Sequence, residues 1–365
     1  MTKLQDSIAV GLLFFLILPT NIIGLWWAVG SPLHLDPNRI CRRSRKLNKG
    51  GNNKQNTICR KEPEIVQQVV KGTMLGMMEC QYQMRYHRWN CTTVSDSFGK
   101  ILKQNTRETA FANAITSAGA TYALTQACSM GDLLQCGCAA APSNRAEPPP
   151  PVVTNSIPGS ADDGAWEWGG CGDDIAYGYM KSKEFMDTNA RIQRDINARI
   201  TLHNNEAGRL AIKSHMRTEC KCHGLSGSCT LQTCWKKMPQ FREVGMRLKD
   251  KFKGAAKVSG GNNGDNILLP EDSTIKPPTG FDLVYSSDSP DFCIPNKKVG
   301  SLGTAGRRCN STSMGVGGCD ILCCGRGHQQ EHLILKENCR CRFHWCCDVK
   351  CDTCTVFATI HRCNA

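Results

Sequence analysis

The chain has 365 residues, 40% of them hydrophobic and 21% charged, which is enough apolar material for a packed core and excludes a wholly disordered protein. Its 45 basic and 32 acidic residues give a net charge of +13, which favours polyanionic surroundings without selecting nucleic acid, acidic polysaccharide or membrane. Its 24 cysteines favour an oxidising compartment, because disulfides at this density persist outside the cytosol. A nucleic-acid partner is therefore not expected.

The N-terminus has the pattern of a secretory signal. A short polar start precedes an uncharged apolar run from Ile8, and small residues at Gly24, Ala28 and Gly30 offer cleavage sites. The alternative is a retained anchor helix, because this run is long enough to span a bilayer. A proline and an asparagine interrupt the run, however, and no basic stop-transfer cluster follows directly. Residues 1–30 are therefore predicted to be a signal peptide, cleaved between 24 and 30.

Apolar residues that recur every three to four positions predict helices in the first two-thirds of the chain. The clearest repeats begin at Glu64 and at Phe111, and the second lies in an Ala-rich stretch that allows a neighbouring helix to approach closely. Residues 31–280 are predicted to form a mainly helical N-terminal domain. Three further helix candidates are 185–202, 206–216 and 241–252.

The composition changes twice along the chain. Residues 142–164 include four consecutive prolines from Pro148, which predicts an exposed, partly polyproline insert. A break rich in Gly, Asn and Pro runs from 260 to 278. Beyond it, residues 293–363 hold twelve cysteines in 71 positions, where crosslinks replace a core. Residues 281–365 are predicted to be a small cysteine-rich β-hairpin and loop domain, so the chain is an α+β, disulfide-rich protein.

Two patterns in this last domain could bind zinc. The cysteine run from Cys339 to Cys354 has suitable pair spacings, but the secretory signal and the even cysteine total favour disulfides. The adjacent cysteines 346 and 347 either bond to each other across a strained turn or pair elsewhere. His328 and His332 stand in the H-x-x-E-H order of one metalloprotease class, which needs a helix that the preceding glycines disfavour. No metal is predicted.

Ser226 lies in a stretch of small residues with two cysteines on each side. A secreted hydrolase that uses Ser226 and His223 is one hypothesis, but Ser228 stands where a nucleophile elbow needs glycine, and no acid is evident to orient the histidine. A plain turn is a second hypothesis. A third suits the pattern better: nested disulfides hold the tip outward, where another enzyme can modify one hydroxyl.

Four motifs accompany the 24-cysteine framework: RWNC at 88–91, RETAF at 107–111, CKCHGLSGSC at 220–229 and FHWCC at 343–347. This combination resembles the Wnt family of secreted signalling proteins across essentially the whole mature chain. The tryptophan-containing stretches LWWAVG at 25–30 and WEWGGC at 166–171 make it most similar to the Wnt-six subgroup. The resemblance implies a secreted developmental ligand without catalytic activity, found in the extracellular space and matrix.

The resemblance also implies a lipid and a set of partners. The serine matching Ser226 is expected to carry a palmitoleoyl ester, added by the acyltransferase porcupine, and no other cofactor is expected. Together with Leu225 and Gly227, this lipid is expected to contact the Frizzled cysteine-rich domain. The other implied partners are the export carrier Wntless and a low-density-lipoprotein-receptor-related co-receptor.

A second Frizzled contact is implied at the end of the cysteine-rich module, where aromatic side chains offer a large contact area at small entropic cost. Its residues are Arg342, Phe343, His344, Trp345, Cys346 and Cys347. Two sequons, at Asn90 and Asn310, match glycosylation sites of the family.

Basic residues form two clusters that are either solvated faces or a binding surface for heparan sulfate proteoglycans, the abundant extracellular polyanion. They are Arg42, Arg43, Arg45 and Lys46, and Arg247, Lys249, Lys251, Lys253 and Lys257.

The disulfide pairing is likewise implied only by the resemblance. The expected N-terminal bridges are Cys41–Cys59, Cys80–Cys91, Cys128–Cys136, Cys138–Cys171, Cys220–Cys234 and Cys222–Cys229. The expected C-terminal bridges are Cys293–Cys324, Cys309–Cys319, Cys323–Cys363, Cys339–Cys354, Cys341–Cys351 and Cys346–Cys347.

Overall fold

The computed structural model describes residues 37–38, 40–42, 54–92, 101–102, 104–139, 165–193, 195–260, 268–272, 274–344 and 348–365. The predicted signal peptide and the proline-rich insert 142–164 lie outside these ranges. None of the described helices combines the length and the hydropathy needed to cross a bilayer.

A helical bundle forms the first part of the described chain. Its helices are α1 (Lys54–Lys61), α2 (Pro63–Met84), α3 (Arg107–Met130), α4 (Ile175–Met186), α5 (Thr188–Gln193), α6 (Ile196–Lys213) and α7 (Phe241–Lys253). Helix α3 lies at the centre, with most of its side chains buried, and α2, α4, α6 and α7 pack around it. Thr106 caps α3 at its N-terminus, and Gly131 ends the helix in a left-handed conformation.

Glycines set the distance between α2 and α3. A Cβ added at Gly119 would lie 2.1 Å from the carbonyl oxygen of Gly72, and one added at Gly72 would lie 2.2 Å from the carbonyl oxygen of Gly119. Atoms cannot approach so closely, so only glycine fits at either position. The close helix approach expected from the small residues of α3 therefore depends on this glycine pair.

Two predicted helix boundaries are wrong. The candidate 185–202 is interrupted at Asp187 and again at Asp195, whose carboxylate accepts a hydrogen bond from the backbone of Ala198 at 2.7 Å and begins α6. No break separates the candidates at 202–206, because α6 continues through Glu206 to Lys213. Apolar spacing identified the helical region but not the capping side chains that divide it.

A fully buried arginine ties three of these helical segments together. The guanidinium of Arg209 on α6 donates to both carboxylate oxygens of Asp187, at 3.1 and 2.7 Å, and to Ser117 Oγ of α3 at 3.2 Å. Arg209 also pairs with Glu206 at 3.0 Å. Burial alone would raise the pKa of Glu206, but its bonds with Tyr179 and Arg209 lower the pKa further than burial raises it.

Segment 255–292 completes the helical part. Strand β4 (Ala256–Gly260) pairs with β5 (Leu268–Pro270) and with β6 (Val284–Tyr285). The side chain of the buried Asn204 bonds both the N–H and the C=O of Val284, each at 2.9 Å.

This packing bears on the domain boundary. Leu283 and Phe292 lie in the main hydrophobic core with the helices. We therefore propose to place the boundary at Cys293 rather than at residue 281.

The C-terminal module consists mainly of one long hairpin. Strands β7 (Pro295–Asn296), β8 (Ser301–Leu302) and β9 (Arg308–Cys309) and the short helix α8 (Cys319–Leu322) surround its base. The hairpin strands are β10 (His328–His344) and β11 (Asp348–Cys363), paired antiparallel with a register shift between Cys339 and Arg342. Its small core holds four buried residues, three of them cysteines. Crosslinks thus take the place of apolar packing, as the composition indicates.

Eleven disulfides join described cysteines. They connect the same pairs that the family resemblance implies, from Cys41–Cys59 to Cys341–Cys351. The twelfth expected pair, Cys346–Cys347, lies outside the described residues.

Reciprocal arginine contacts join the two parts. Arg307 of the C-terminal module donates to the backbone carbonyls of Arg85, His87 and Arg88, which follow α2, at 3.2, 2.7 and 2.5 Å. In return, Arg88 donates to the carbonyl of Ile321 at 3.1 and 3.2 Å. Burial lowers the pKa of Arg307, but the carbonyl oxygens satisfy its donors.

Candidate functional site

A three-stranded sheet presents the Ser226 loop, defined here as residues 223–230. Strand β2 (Arg217–Cys222) pairs antiparallel with β3 (Leu231–Lys237), and β1 (Ala165–Trp168) pairs parallel with β3. Cys220 and Cys234 are register partners and are bonded to each other, and the Cys222–Cys229 bridge lies nearer the tip. The two bridges thus brace both sides of the loop.

Backbone bonds then close the loop tightly. The N–H of Gly224 donates to the carbonyl of Ser228 at 2.8 Å, and the N–H of Ser228 donates to the carbonyl of Leu225 at 3.1 Å. A Cβ at Gly224 would lie 2.6 Å from the backbone carbonyl oxygen of Ser228, so glycine is required there. The β2–β3 ladder ends before the tip. This agrees with the unequal cysteine spacing on its two sides, since one residue separates Cys220 from Cys222 and four separate Cys229 from Cys234.

Ser226 lies at the tip in a left-handed conformation, with φ 56° and ψ 25°. A non-glycine residue in this region is uncommon and needs surroundings that hold it there. The side chain of Ser226 is exposed, and its neighbour Leu225 is 93% exposed. A 3₁₀ turn over Leu225–Gly227 therefore displays a hydroxyl beside an exposed apolar side chain.

The hydrolase hypothesis has no support in this geometry. His223 is exposed, and its side chain makes no hydrogen bond to Ser226 within the described part of the chain. No oriented base is therefore in place to activate the hydroxyl. The loop can present Ser226 to another enzyme, but it does not hold Ser226 as a nucleophile.

The hairpin tip, defined here as residues 342–347, is described as far as His344. Arg342 is exposed, Phe343 is 73% exposed, and its register partner Val349 is 56% exposed. The Cys339–Cys354 and Cys341–Cys351 bridges cross the hairpin just before this tip. The backbone of His344 ends β10, whereas Trp345, Cys346 and Cys347 lie outside the described residues.

The H-x-x-E-H order does not form a protease site. His328 and His332 lie on strand β10, and Glu331 points to the opposite face, where it pairs with Arg362 at 2.7 Å. Among the described residues, one cluster of three potential ligands lies close together, formed by three cysteines of the C-terminal module. All three are in disulfides and offer no thiolate: Cys309, Cys319 and Cys323.

Both sequons lie in structured turns. Asn310 is exposed, and its Oδ1 accepts from the backbone and the hydroxyl of Thr312 at 3.0 and 2.9 Å. Asn90 is half-buried and contacts the hydroxyl of Thr92, next to Cys91 with its positive φ of 57°.

The basic cluster of α7 is partly neutralised by ion pairs. Lys251 pairs with Asp282 at 2.8 Å, and Lys257 contacts Asp288 and Glu271, each at 3.1 Å. Burial, followed by repulsion from Arg85 and Lys253, lowers the pKa of Lys249. Positive charge therefore concentrates around Lys249, near the C-terminus of α2. Of the other basic cluster, only Arg42 is described.

Sequence reasoning missed two features. A cleft of about 610 Å³ lies between the helical part and the C-terminal module, with Phe252 and Ile321 among its lining residues. His87 also lines the cleft; burial, with Lys249, Lys253 and Arg307 nearby, lowers its pKa to about 4. The second feature is Asp173, which is buried and accepts the backbone N–H of Met238 at 2.8 Å. Neither feature leaves a periodic signal in the sequence.

A family model described as the wnt family matches residues 47–364 of the chain. The chain belongs to the Wnt family. Wnt proteins are secreted developmental signalling ligands and not enzymes.

Protein Wnt-6 of Mus musculus is 55% identical over 361 residues, covering 97% of this chain and 98% of the mouse protein. Protein Wnt-6 of Homo sapiens is 56% identical over 365 residues, covering 97% of this chain and 98% of the human protein. The expected Wnt-six resemblance is therefore confirmed.

The solved structure of human WLS in complex with WNT8A is also similar to this chain. The match has a TM-score of 0.61 and 35% sequence identity, and covers 83% of this chain and 95% of that chain. The α+β, disulfide-rich fold expected from the sequence is thereby confirmed, including its cysteine-rich C-terminal region.

Proposed function

We propose that this Wnt protein is a ligand that carries a palmitoleoyl ester on Ser226 and binds Frizzled through that lipid and through the hairpin tip. The observation that carries the proposal is the exposed Ser226 hydroxyl on a loop braced by two disulfides. An acyltransferase such as porcupine needs a hydroxyl that projects from the surface. The neighbouring Leu225 is itself exposed and does not cover Ser226.

The lipid would supply most of the receptor affinity from this loop. Each methylene moved out of water contributes about 0.8 kcal/mol, so a dozen contribute on the order of 10 kcal/mol before the entropy of association is subtracted. The loop itself offers one large apolar side chain, Leu225. Binding at this surface therefore depends on the acyl chain more than on protein side chains.

Acyl mapping tests this proposal. We expect mass spectrometry of the secreted protein to find a mono-unsaturated C16 ester on the peptide that contains Ser226. Ser226→Ala should abolish the ester, block export and remove receptor activation. Ser228→Ala, two residues away in the same loop, should retain all three. A secreted, active wild-type chain with a free Ser226 hydroxyl would contradict the proposal.

The hairpin tip is the second proposed receptor contact. Phe343 and Val349 expose a cross-strand apolar pair that the adjacent disulfides hold in one orientation. Aromatic side chains are enriched in interface cores, so Phe343 is the expected anchor of this pair. Trp345, Cys346 and Cys347 are proposed to extend this surface with Arg342 and His344.

Phe343→Ala should weaken binding to the Frizzled cysteine-rich domain about tenfold to thirtyfold, because truncation of an interface anchor costs about 1.4–2 kcal/mol. Phe357→Ala is the matched control, since Phe357 is 81% exposed on the same hairpin but distant from the tip. Biolayer interferometry with the acylated proteins measures both. Equal losses in the two variants would argue against a specific contact at the tip.

Other partners follow from family membership. The similarity to a Wnt protein bound to WLS supports Wntless as the export carrier. A low-density-lipoprotein-receptor-related co-receptor completes the proposed signalling complex. The charge around Lys249 supports a salt-sensitive contact with heparan sulfate proteoglycans in the matrix. The sequons at Asn90 and Asn310 are proposed glycosylation sites, and residues 1–30 are the proposed signal peptide.

A further inference from the structure

The hairpin register places three histidines on one face. His361 of β11 lies directly opposite Gln330 of β10, so it stands between the levels of His328 and His332. Alternate residues of a strand share a face, so all three side chains project to the same side. The two histidines of the H-x-x-E-H order are about 13 Å apart along the strand. The histidine whose ring contacts that of His328 is therefore His361, on the neighbouring strand.

The separation of these two rings suits a shared metal ion. The ring centroids of His328 and His361 are 5.0 Å apart, with an interplanar angle of 74°. Zinc–nitrogen bonds of about 2.0–2.1 Å, a tetrahedral angle and a ring radius of about 1.1 Å give about 5 Å between two imidazole centroids on one ion. Small rotations of χ2 can therefore direct a nitrogen from each ring to one point.

Neither ring is committed to another role among the described residues. Nδ1 of His361 is buried and has no hydrogen-bond partner there, and His328 makes no side-chain hydrogen bond. A buried polar atom of this kind is rare and calls for an explanation. A ligand bound by the ring is one.

The backbone around this pair is held rigidly. His361 also pairs with Cys309 of β9, and His328 is the register partner of Cys363, which is bonded to Cys323. Both histidines thus lie at the anchored end of the hairpin, not at its free tip. A site on a fixed backbone binds with less loss of conformational freedom.

We propose that His328 and His361 together bind one divalent cation of the zinc and copper class. Neutral imidazole is a preferred ligand of these ions. His332 lies too far along the strand from His328 to share the ion, and its Nδ1 and Nε2 already lie 3.2 Å from Thr359 Oγ1 and 3.4 Å from Gln330 Nε2. Glu331, which would be the general base of an H-x-x-E-H protease, is on the opposite face of the hairpin. The proposed site therefore binds a metal without protease chemistry.

Titration of the full-length secreted protein with Zn²⁺ tests the site, using a preparation without a polyhistidine tag. We expect saturable binding of one equivalent. His328→Gln and His361→Gln should each weaken the affinity at least about tenfold. His215→Gln, which removes an exposed histidine of the helical part, should leave it unchanged. His332→Gln should likewise leave it unchanged.

A spectroscopic measurement separates metal binding from a change in folding. Electron paramagnetic resonance of the Cu²⁺-loaded protein should show coupling to at least two imidazole nitrogens. The double variant at positions 328 and 361 should lose that coupling while its far-UV circular dichroism stays that of the wild type. Absence of saturable Zn²⁺ binding, or wild-type affinity in both single variants, would overturn the proposal.

Discussion

Arg209 has no solvent exposure, yet it is charged, because Asp187 and Glu206 pair with its guanidinium. Removal of one partner leaves a buried charge without compensation, which costs about 3–5 kcal/mol. The arrangement lies within the Wnt helical core and makes no contact with either proposed receptor surface. It is therefore a determinant of stability rather than of binding.

Arg209→Met should lower the free energy of unfolding by about 3–5 kcal/mol, since Asp187 then stays buried without its main partner. Arg191→Ala is a matched control: Arg191 also pairs with Asp187, at 3.8 Å, but is half exposed, so its loss should cost about 1 kcal/mol or less. Urea denaturation with the disulfides intact measures both values. Comparable losses in the two variants would contradict this account.

Single residues also show where sequence interpretation ends. The Ser226 loop was recognisable because its cysteines and small residues are adjacent in the chain. Arg209 and Asp187 are 22 positions apart and meet only after the helices have packed. The burial of Asp173 is likewise invisible in the sequence, because nothing local indicates that it accepts a hydrogen bond from the backbone N–H of Met238. Charged residues far apart in sequence do not reveal their pairing through spacing.

At the scale of elements, the loop between β2 and β3 depends on its crosslinks. The 3₁₀ turn at its tip buries almost nothing, so apolar packing does not stabilise it. The bridge between Cys222 and Cys229 closes a short loop around Ser226. Such a bridge restricts the conformations of the open chain and favours the displayed turn.

Cys222→Ser combined with Cys229→Ser should therefore reduce the acylated fraction at Ser226, because the hydroxyl is no longer held outward. The free energy of unfolding should fall by about 2–3 kcal/mol, because the unfolded chain regains the conformational entropy of this short loop. Mass spectrometry and urea denaturation give the two readouts. Full acylation of the double variant would show that the bridge is not required for presentation.

Helices were easier to predict than their ends. Periodic apolar residues identified α2, α3 and α7, since burial of one face imposes that spacing. The divisions at Asp187 and Asp195 depend on side-chain caps, and apolar periodicity contains no information about them. The α2–α3 approach was anticipated from small residues, but the contact between Gly72 and Gly119 requires the three-dimensional register of two helices.

At the scale of the whole molecule, stability is expected to depend on pH through the junction between the two parts. His87 lines the cleft there with a pKa of about 4, against an ordinary value of 6.5. Between these values the unfolded chain binds a proton that the folded chain does not. Stability should therefore fall as the pH is lowered from about 6.5 to about 4.

His87→Gln should flatten this part of the pH dependence, measured as the free energy of unfolding at several pH values. Asp282 acts in a lower window: burial opposes its charge, but Lys251 and Thr279 lower its pKa to about 2. Its stabilising contribution is lost only as the pH falls from about 4 towards 2. An unchanged slope above pH 4 in the His87 variant would assign the dependence to other groups.

The two-part organisation was visible in the composition, but the division between the parts was not. The cysteine density rises from Cys293, the residue at which we propose that the C-terminal module begins. Residues 281–292 are too few and too mixed to reveal that Leu283 and Phe292 belong to the helical core. The packing of residues 281–292 against the helices is therefore evident only from the structure.

The eleven bridges between described cysteines divide without exception at the junction: six lie within the helical part and five within the C-terminal module. During vectorial translocation, the first group of thiols emerges while the second is still on the ribosome. Each early cysteine can then find its native mate without competition from late ones. Disulfide formation can thus proceed in two consecutive stages. Each stage allows far fewer incorrect cysteine pairings than simultaneous oxidation of the whole chain would.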